Sequence, residues 1–143
     1  MTPYQRLVLI AYLISVVSCT ATGSDQQAPL AILDQSVDAG HGDAALSGTL
    51  SVGENCVVVI RRDGGETTPV WRRDQVVWSE EFQVIQIVNG DSTGVSIRNG
   101  DKITLSGGSL KLSDAPASSV WVEAPQESCP DDAFVVGEVT VHQ

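Results

Sequence analysis

Hydrophobic and polar positions divide the chain into two textures. Near the start an apolar stretch runs from Leu7 to Val17, behind a short opening with one cation, Arg6. From Ala44 onward, short β-branched runs are punctuated by Gly, Asn and Asp, and no window holds apolar residues at helical spacing for three turns. That second texture predicts strands. Leu46, Leu50 and Val52 alternate with Ser47, Thr49 and Ser51, which makes the first strand apolar on one face and hydroxylated on the other. The run Val57-Val58-Val59-Ile60 predicts a strand buried on both faces. Arg61, Arg62 and Asp63 lead out to a Gly64-Gly65 turn, and Thr67 to Trp71 should return. Val76-Val77-Trp78 form a third apolar group after the charged link Arg72-Arg73-Asp74.

Asn-Gly-Asp occurs twice, at Asn89-Gly90-Asp91 and at Asn99-Gly100-Asp101. Asn-Gly between apolar runs favours a type I′ hairpin, because both residues tolerate positive φ. A three-stranded meander is therefore expected from about Glu81 to Leu105, ended by Gly107-Gly108. Val120-Trp121-Val122 and Phe134 to Val141 supply the last strands. Some seven short strands in about 100 residues fit a small closed or partly open β-barrel of the OB or SH3-like sort, with a two-sheet sandwich as the alternative. The barrel is preferred, since closure removes free edges and one wrapped sheet completes a small core more easily than two facing ones.

The apolar stretch at the start is too short to span a bilayer, which takes about 20 residues. It has the layout of a secretory signal. Its end, Val16-Val17-Ser18-Cys19, resembles the lipobox of bacterial lipoproteins, which implies cleavage before Cys19 and lipidation of its thiol. The expected organisation is a signal peptide over 1–18, a lipid-anchored tether over 19–43 and a β-domain over 44–143. Residues 20–43 contain no Lys or Arg and no sustained periodicity; as flexible coil they would reach roughly 25 to 30 Å. Leu30-Ala31-Ile32-Leu33 is the exception, and either docks on the domain or forms one helical turn.

Cysteine parity supports the anchor. There are three cysteines. With Cys19 lipidated, Cys56 and Cys129 remain as one pair, which as a disulfide would staple the beginning of the domain to its end. Their spacing suits neither a metal pair nor redox thiols.

Charge narrows the partners. The chain carries 18 acidic and 8 basic residues, and cleavage removes only Arg6 from these. Nucleic acid and anionic lipid surfaces attract Lys and Arg patches, so this balance argues against both and favours, at most, cationic partners.

The domain also resembles a type of short exported bacterial protein. The similar features are Leu46-Ser47-Gly48-Thr49-Leu50, Cys56, Pro69-Val70-Trp71, the stretch from Val95 to Gly108, Cys129 and Val135-Val136-Gly137-Glu138-Val139. The resemblance implies no particular activity and transfers no functional residue.

No catalytic constellation emerges. His41 and His142 lie where order is least expected, without a nucleophile-elbow serine. Asn89, Asp91 and Thr93 have a calcium-loop look, but the twelfth position is Gly100, so the bidentate Glu is missing. The pairs Glu80-Glu81 and Asp131-Asp132 read as solvated acids, since adjacent strand residues point to opposite faces. No metal site and no cofactor are expected. The candidate binding surface is Trp71, Arg72, Arg73 and Trp78, where aromatic faces would stack sugars or peptide side chains and the arginines would take an anion.

These readings converge on a lipid-anchored protein of the bacterial envelope, facing the periplasm from the outer membrane in a Gram-negative host. It would act as a non-catalytic binding or structural module with an envelope protein or polysaccharide as partner. The alternatives are a hydrolase of envelope polymers and an inhibitor of a secreted enzyme, the latter presenting the segment from Ser113 to Ser119.

Overall fold

The computed structural model describes residues 28–34, 42–115 and 121–143. The signal segment, Cys19 and His41 lie outside them, as do residues 116–120. The described chain forms ten strands: β1 (Ala31–Leu33), β2 (Ala44–Val52), β3 (Val57–Ile60), β4 (Glu66–Arg72), β5 (Val76–Ser79), β6 (Val84–Ile87), β7 (Ser96–Arg98), β8 (Lys102–Lys111), β9 (Trp121–Glu123) and β10 (Asp132–His142). Among these residues the only helical element is a 3-10 turn, Leu112–Asp114.

Five strands close into a barrel. β2 pairs antiparallel with β3 and β8, β3 with β4, and β8 with β10. β10 then runs parallel to β4, with Ala133, Phe134 and Val135 opposite Thr68, Pro69 and Val70, which completes the ring β2-β3-β4-β10-β8. A three-strand meander closed by one parallel pairing is an OB-type connection. Alternation fills the interior: Leu46 and Leu50 of β2, Val57 and Val59 of β3, Ile103 and Leu105 of β8, and Phe134 and Val136 of β10 share one buried cluster with Trp71.

The next positions along β4 and β10 are buried as well. Val70, Ala133 and Val135 belong to a second cluster with Ala31 and Leu33, flanked by Leu110, Leu112 and Trp121. Residues alternate in direction along a strand, so this cluster lies on the barrel's outer side. It explains the unbroken apolar run of β10. It also settles the place of Leu30 to Leu33, which docks on the domain: β1 runs parallel to β4, pairs with β9, and the Val57 N–H donates to the Pro29 carbonyl at 3.1 Å. Part of the segment expected as tether is thus integral to the fold.

The remaining strands form a separate antiparallel sheet, β5-β6-β7. Val76, Ile85, Ile87 and Ile97 join the barrel's own cluster. The sheet therefore covers the barrel end where β2 finishes, held by hydrogen bonds from Leu50 N–H to the Asp101 carbonyl, from Gly100 N–H to the Leu50 carbonyl, and from Ser92 Oγ to the Val139 carbonyl.

This corrects the expected meander. β7 pairs with β6, but β8 belongs to the barrel, so Asn99-Gly100 turns the chain from one sheet to the other instead of closing a hairpin. Only Gly100 takes positive φ there (89°), where a type I′ turn needs both residues positive. Burial decided the outcome: Ile97 serves the capping sheet, whereas Ile103 and Leu105 serve the barrel. Gly107 does not end its strand either. β8 runs on to Lys111 through a register shift opposite Val136/Glu138. A Cβ at Gly107 would fall 1.9 Å from the Val135 carbonyl oxygen, so glycine permits the close strand approach at this bulge.

Candidate functional site

The expected surface does not assemble. Trp71 is wholly buried, because β4 alternation turns it into the barrel core, so its ring can stack on no ligand. Arg73 lies 3.9 Å from Asp34, just past β1. Arg72 lines a different cleft, in company with Asp43 and Glu138. An anion site on Trp71, Arg72 and Arg73 is therefore not built.

Trp78 is placed differently. Half-buried, it packs against the main core cluster and lines a cleft of about 290 Å³ with Pro29, Val52, Gly53, Glu54, Glu80 and Gln83. Three separate parts of the chain meet here, and each is fixed. The β5–β6 hairpin supplies Trp78, Glu80 and Gln83. Trp78 Nε1–H donates to Glu80 Oε2 at 2.7 Å, and Gln83 Nε2–H donates to the Glu80 carbonyl at 2.9 Å and to Oε1 at 3.1 Å. The β2–β3 turn supplies Gly53 and Glu54, closed by Gly53 N–H donating to the Cys56 carbonyl at 2.9 Å. The Cys56–Cys129 disulfide, with Cα atoms 5.6 Å apart, ties this turn to the loop ahead of β10. Pro29 enters with the N-terminal segment.

Gln83 adopts φ +52°, and among the described residues no other non-glycine takes a positive value. Such a conformation costs of order 1 kcal/mol and persists where the surroundings impose it. Here Gln83 sits in the turn between β5 and β6, and its side chain makes two hydrogen bonds back to Glu80. Glu80 Oε1 accepts from Gln83 and Oε2 from Trp78, and each keeps further acceptor capacity. The cleft thus presents an indole, two exposed carboxylates and a primary amide, a set suited to an ammonium or guanidinium group by cation–π contact and charge-assisted hydrogen bonds.

Only Trp78 of this set was marked in the sequence. Glu80 read as one of a solvated pair; it is exposed, but its carboxylate accepts two hydrogen bonds, one from Trp78 and one from Gln83. The other pair is engaged too: Asp131 Oδ1 accepts from Ser113 N–H at 2.8 Å, and Asp132 pairs with Lys111. Glu54, Gln83 and Pro29 carried no sequence signal, since only folding brings them together. The loop proposed for an inhibitor, up to Ser119, lies partly outside the described residues. Among the described residues no group of three or more His, Cys, Asp or Glu side chains is arranged to hold a metal, and no helix is long and apolar enough to cross a membrane. No protein-family model matches the chain, and no match was found among curated proteins or solved structures.

Proposed function

We propose that this is an exported, lipid-anchored protein of the bacterial envelope, a non-catalytic binding module whose Trp78 cleft takes a Lys or Arg side chain of an envelope protein. The observation that carries the anchored location is the Cys56–Cys129 bond. Disulfides belong to oxidising compartments, and this one leaves Cys19, behind its apolar run, as the remaining cysteine of three. The net charge of −10 favours a cationic partner. Recognition is preferred over hydrolysis because Glu54 and Glu80 are both exposed, whereas a general acid needs a carboxyl group shielded from water.

The anchor is tested by intact mass and membrane fractionation of the native protein beside Cys19→Ala. Loss of a lipid-sized mass and release to the soluble fraction are expected; identical mass and partitioning would defeat the anchored reading. The cleft is tested by titrating the intact protein with a Lys-rich peptide while following tryptophan emission. A saturable change that disappears in Glu80→Gln supports it, and a response undiminished in that variant overturns it.

A further inference from the structure

A second groove, on another face, carries the opposite charge. It measures about 680 Å³ and is lined by Ser47, Gly48, Thr49, Ile60, Arg61, Arg62, Lys102, Ile103, Thr104 and His142. Of the chain's eight basic residues three meet here, with no Asp or Glu in the lining. Register explains the gathering. Thr49 lies opposite both Ile60 and Lys102, Lys102 opposite His142, and Ser47 opposite Thr104, so four adjacent strands project these side chains outward together. Arg61 donates to Asp63, but among the described residues neither Arg62 nor Lys102 has a carboxylate within ion-pair distance.

A hydrogen-bonded chain crosses the groove. Ser47 Oγ lies 2.8 Å from Thr104 Oγ1, which lies 2.8 Å from His142 Nε2. Thr104 has one hydroxyl proton, so it donates to one neighbour and accepts from the other. When His142 Nε2 carries a proton and donates, Thr104 donates to Ser47, and the Ser47 O–H is left free to donate to a ligand. An anion at the Ser47 end selects this direction. His142, which by sequence lies where order is least expected, is thus part of a hydrogen-bonded chain at the end of β10.

We infer that this groove binds an acidic oligosaccharide, one whose sugar units carry carboxylates. Arg62 and Lys102 would meet the carboxylates, the hydroxyl chain the sugar hydroxyls, and Ile60, 36% exposed, an apolar sugar face. The volume falls in the range of about 300 to 1,000 Å³ typical of small-ligand sites. The acidic balance of the whole chain does not forbid this, because charges beyond about 8 Å are largely screened at physiological salt while contact-range cations are not. Glu66, opposite Ile60 on β4, is an acid at the rim and should oppose binding.

The test is calorimetric titration of the intact protein with trigalacturonate and, separately, with the neutral galactose trimer. Trigalacturonate alone is expected to bind. Arg62→Ala with Lys102→Ala should weaken it roughly tenfold or more, the scale of losing two charge-assisted contacts, and Glu66→Gln should strengthen it. Arg73→Ala with Arg98→Ala removes the same charge from elsewhere on the surface and should leave binding unchanged. No binding of trigalacturonate, equal binding of the neutral trimer, or equal loss in both double variants would overturn the inference.

Discussion

Thr67 and Thr68 are neighbours in β4, both buried, and differ by one hydrogen bond. Thr68 Oγ1 donates to the Pro130 carbonyl at 2.9 Å, while Thr67 Oγ1 meets no partner among the described residues. Successive strand residues point to opposite faces. Thr68 reaches the segment leading into β10, and Thr67 faces a cleft shared with Arg61, Lys111 and Asp132.

Valine matches threonine in shape, so the two sites should respond with opposite sign. Thr67→Val removes an unpaired buried hydroxyl and should stabilise by about 1 kcal/mol, whereas Thr68→Val strands the Pro130 carbonyl and should cost about as much. Urea midpoints of the two variants check this. A shift of the same sign in both would mean that burial alone, and not hydrogen bonding, governs β4.

The disulfide closes a sequence separation of 73 residues. In the loop-entropy account, such a closure contributes about 4 kcal/mol, with measured values often smaller. Cys56→Ser with Cys129→Ser should therefore lower the unfolding midpoint substantially while the barrel is retained in native buffer. Because the bond also anchors the Gly53–Glu54 wall, peptide binding at Trp78 should weaken before the barrel melts. Tryptophan emission and far-ultraviolet dichroism followed through one urea titration would separate the two events. Coincident loss would show that the cleft wall is held by the barrel and not by the bond.

The barrel was legible where alternation and burial on one face coincide, as in Leu46, Leu50, Ile103 and Leu105. The strand periods of β2, β3, β4 and β10 could be read, because each carries its own apolar pattern. What periodicity does not encode is the choice of neighbour. β7 and β8 are joined by an Asn-Gly turn yet lie in different sheets, since Ile97 and Ile103 fill different parts of the same core. The Trp78 cleft was half legible: the indole stands out in a chain with 3 tryptophans. Its partners do not, because Glu54 and Pro29 arrive from distant segments. Trp71 looked equally promising and went inward by strand parity alone.

Asn99 makes the sheet-to-sheet turn specific. Its Oδ1 accepts from Val52 N–H at 2.8 Å, so the turn grips the end of β2. Asn99→Ala should cost about 1 kcal/mol, the usual net value of one such bond. Gly100→Ala should cost a similar amount by forcing a Cβ into positive φ, although nothing lies within 4 Å of the position. Thermal midpoints of both variants are the measurement. An unchanged midpoint in Gly100→Ala would show that the turn relaxes to negative φ without disturbing Leu50.

Acid and base should act on the protein through Lys111 and Asp132. The hydrogen bond and charge of Lys111 hold the Asp132 carboxyl below its ordinary 3.8, and the same contact raises Lys111 above 10.5. A depressed carboxyl adds stability above its unfolded value and loses it as pH falls through the folded one. A raised ammonium adds stability below its unfolded value and loses it as pH rises through the folded one. The pair should therefore contribute fully between about pH 5 and pH 9 and fade outside that window. Both groups are exposed, so the contribution is small and screened by salt. Lys111→Met should lower stability by a constant amount across the window, and the gap to the native protein should close below pH 3.8. Asp63 offers a contrast: the Gly65 N–H, then Arg61, depress its carboxyl. Asp63→Ala should converge with the native protein on the acid side only, with no change on the basic side. Denaturant midpoints from pH 2.5 to 11 would distinguish the two, and a Lys111→Met gap that does not narrow at all as pH falls below 3.8 would mean that the side chain stabilises by packing its stem and not by its charge.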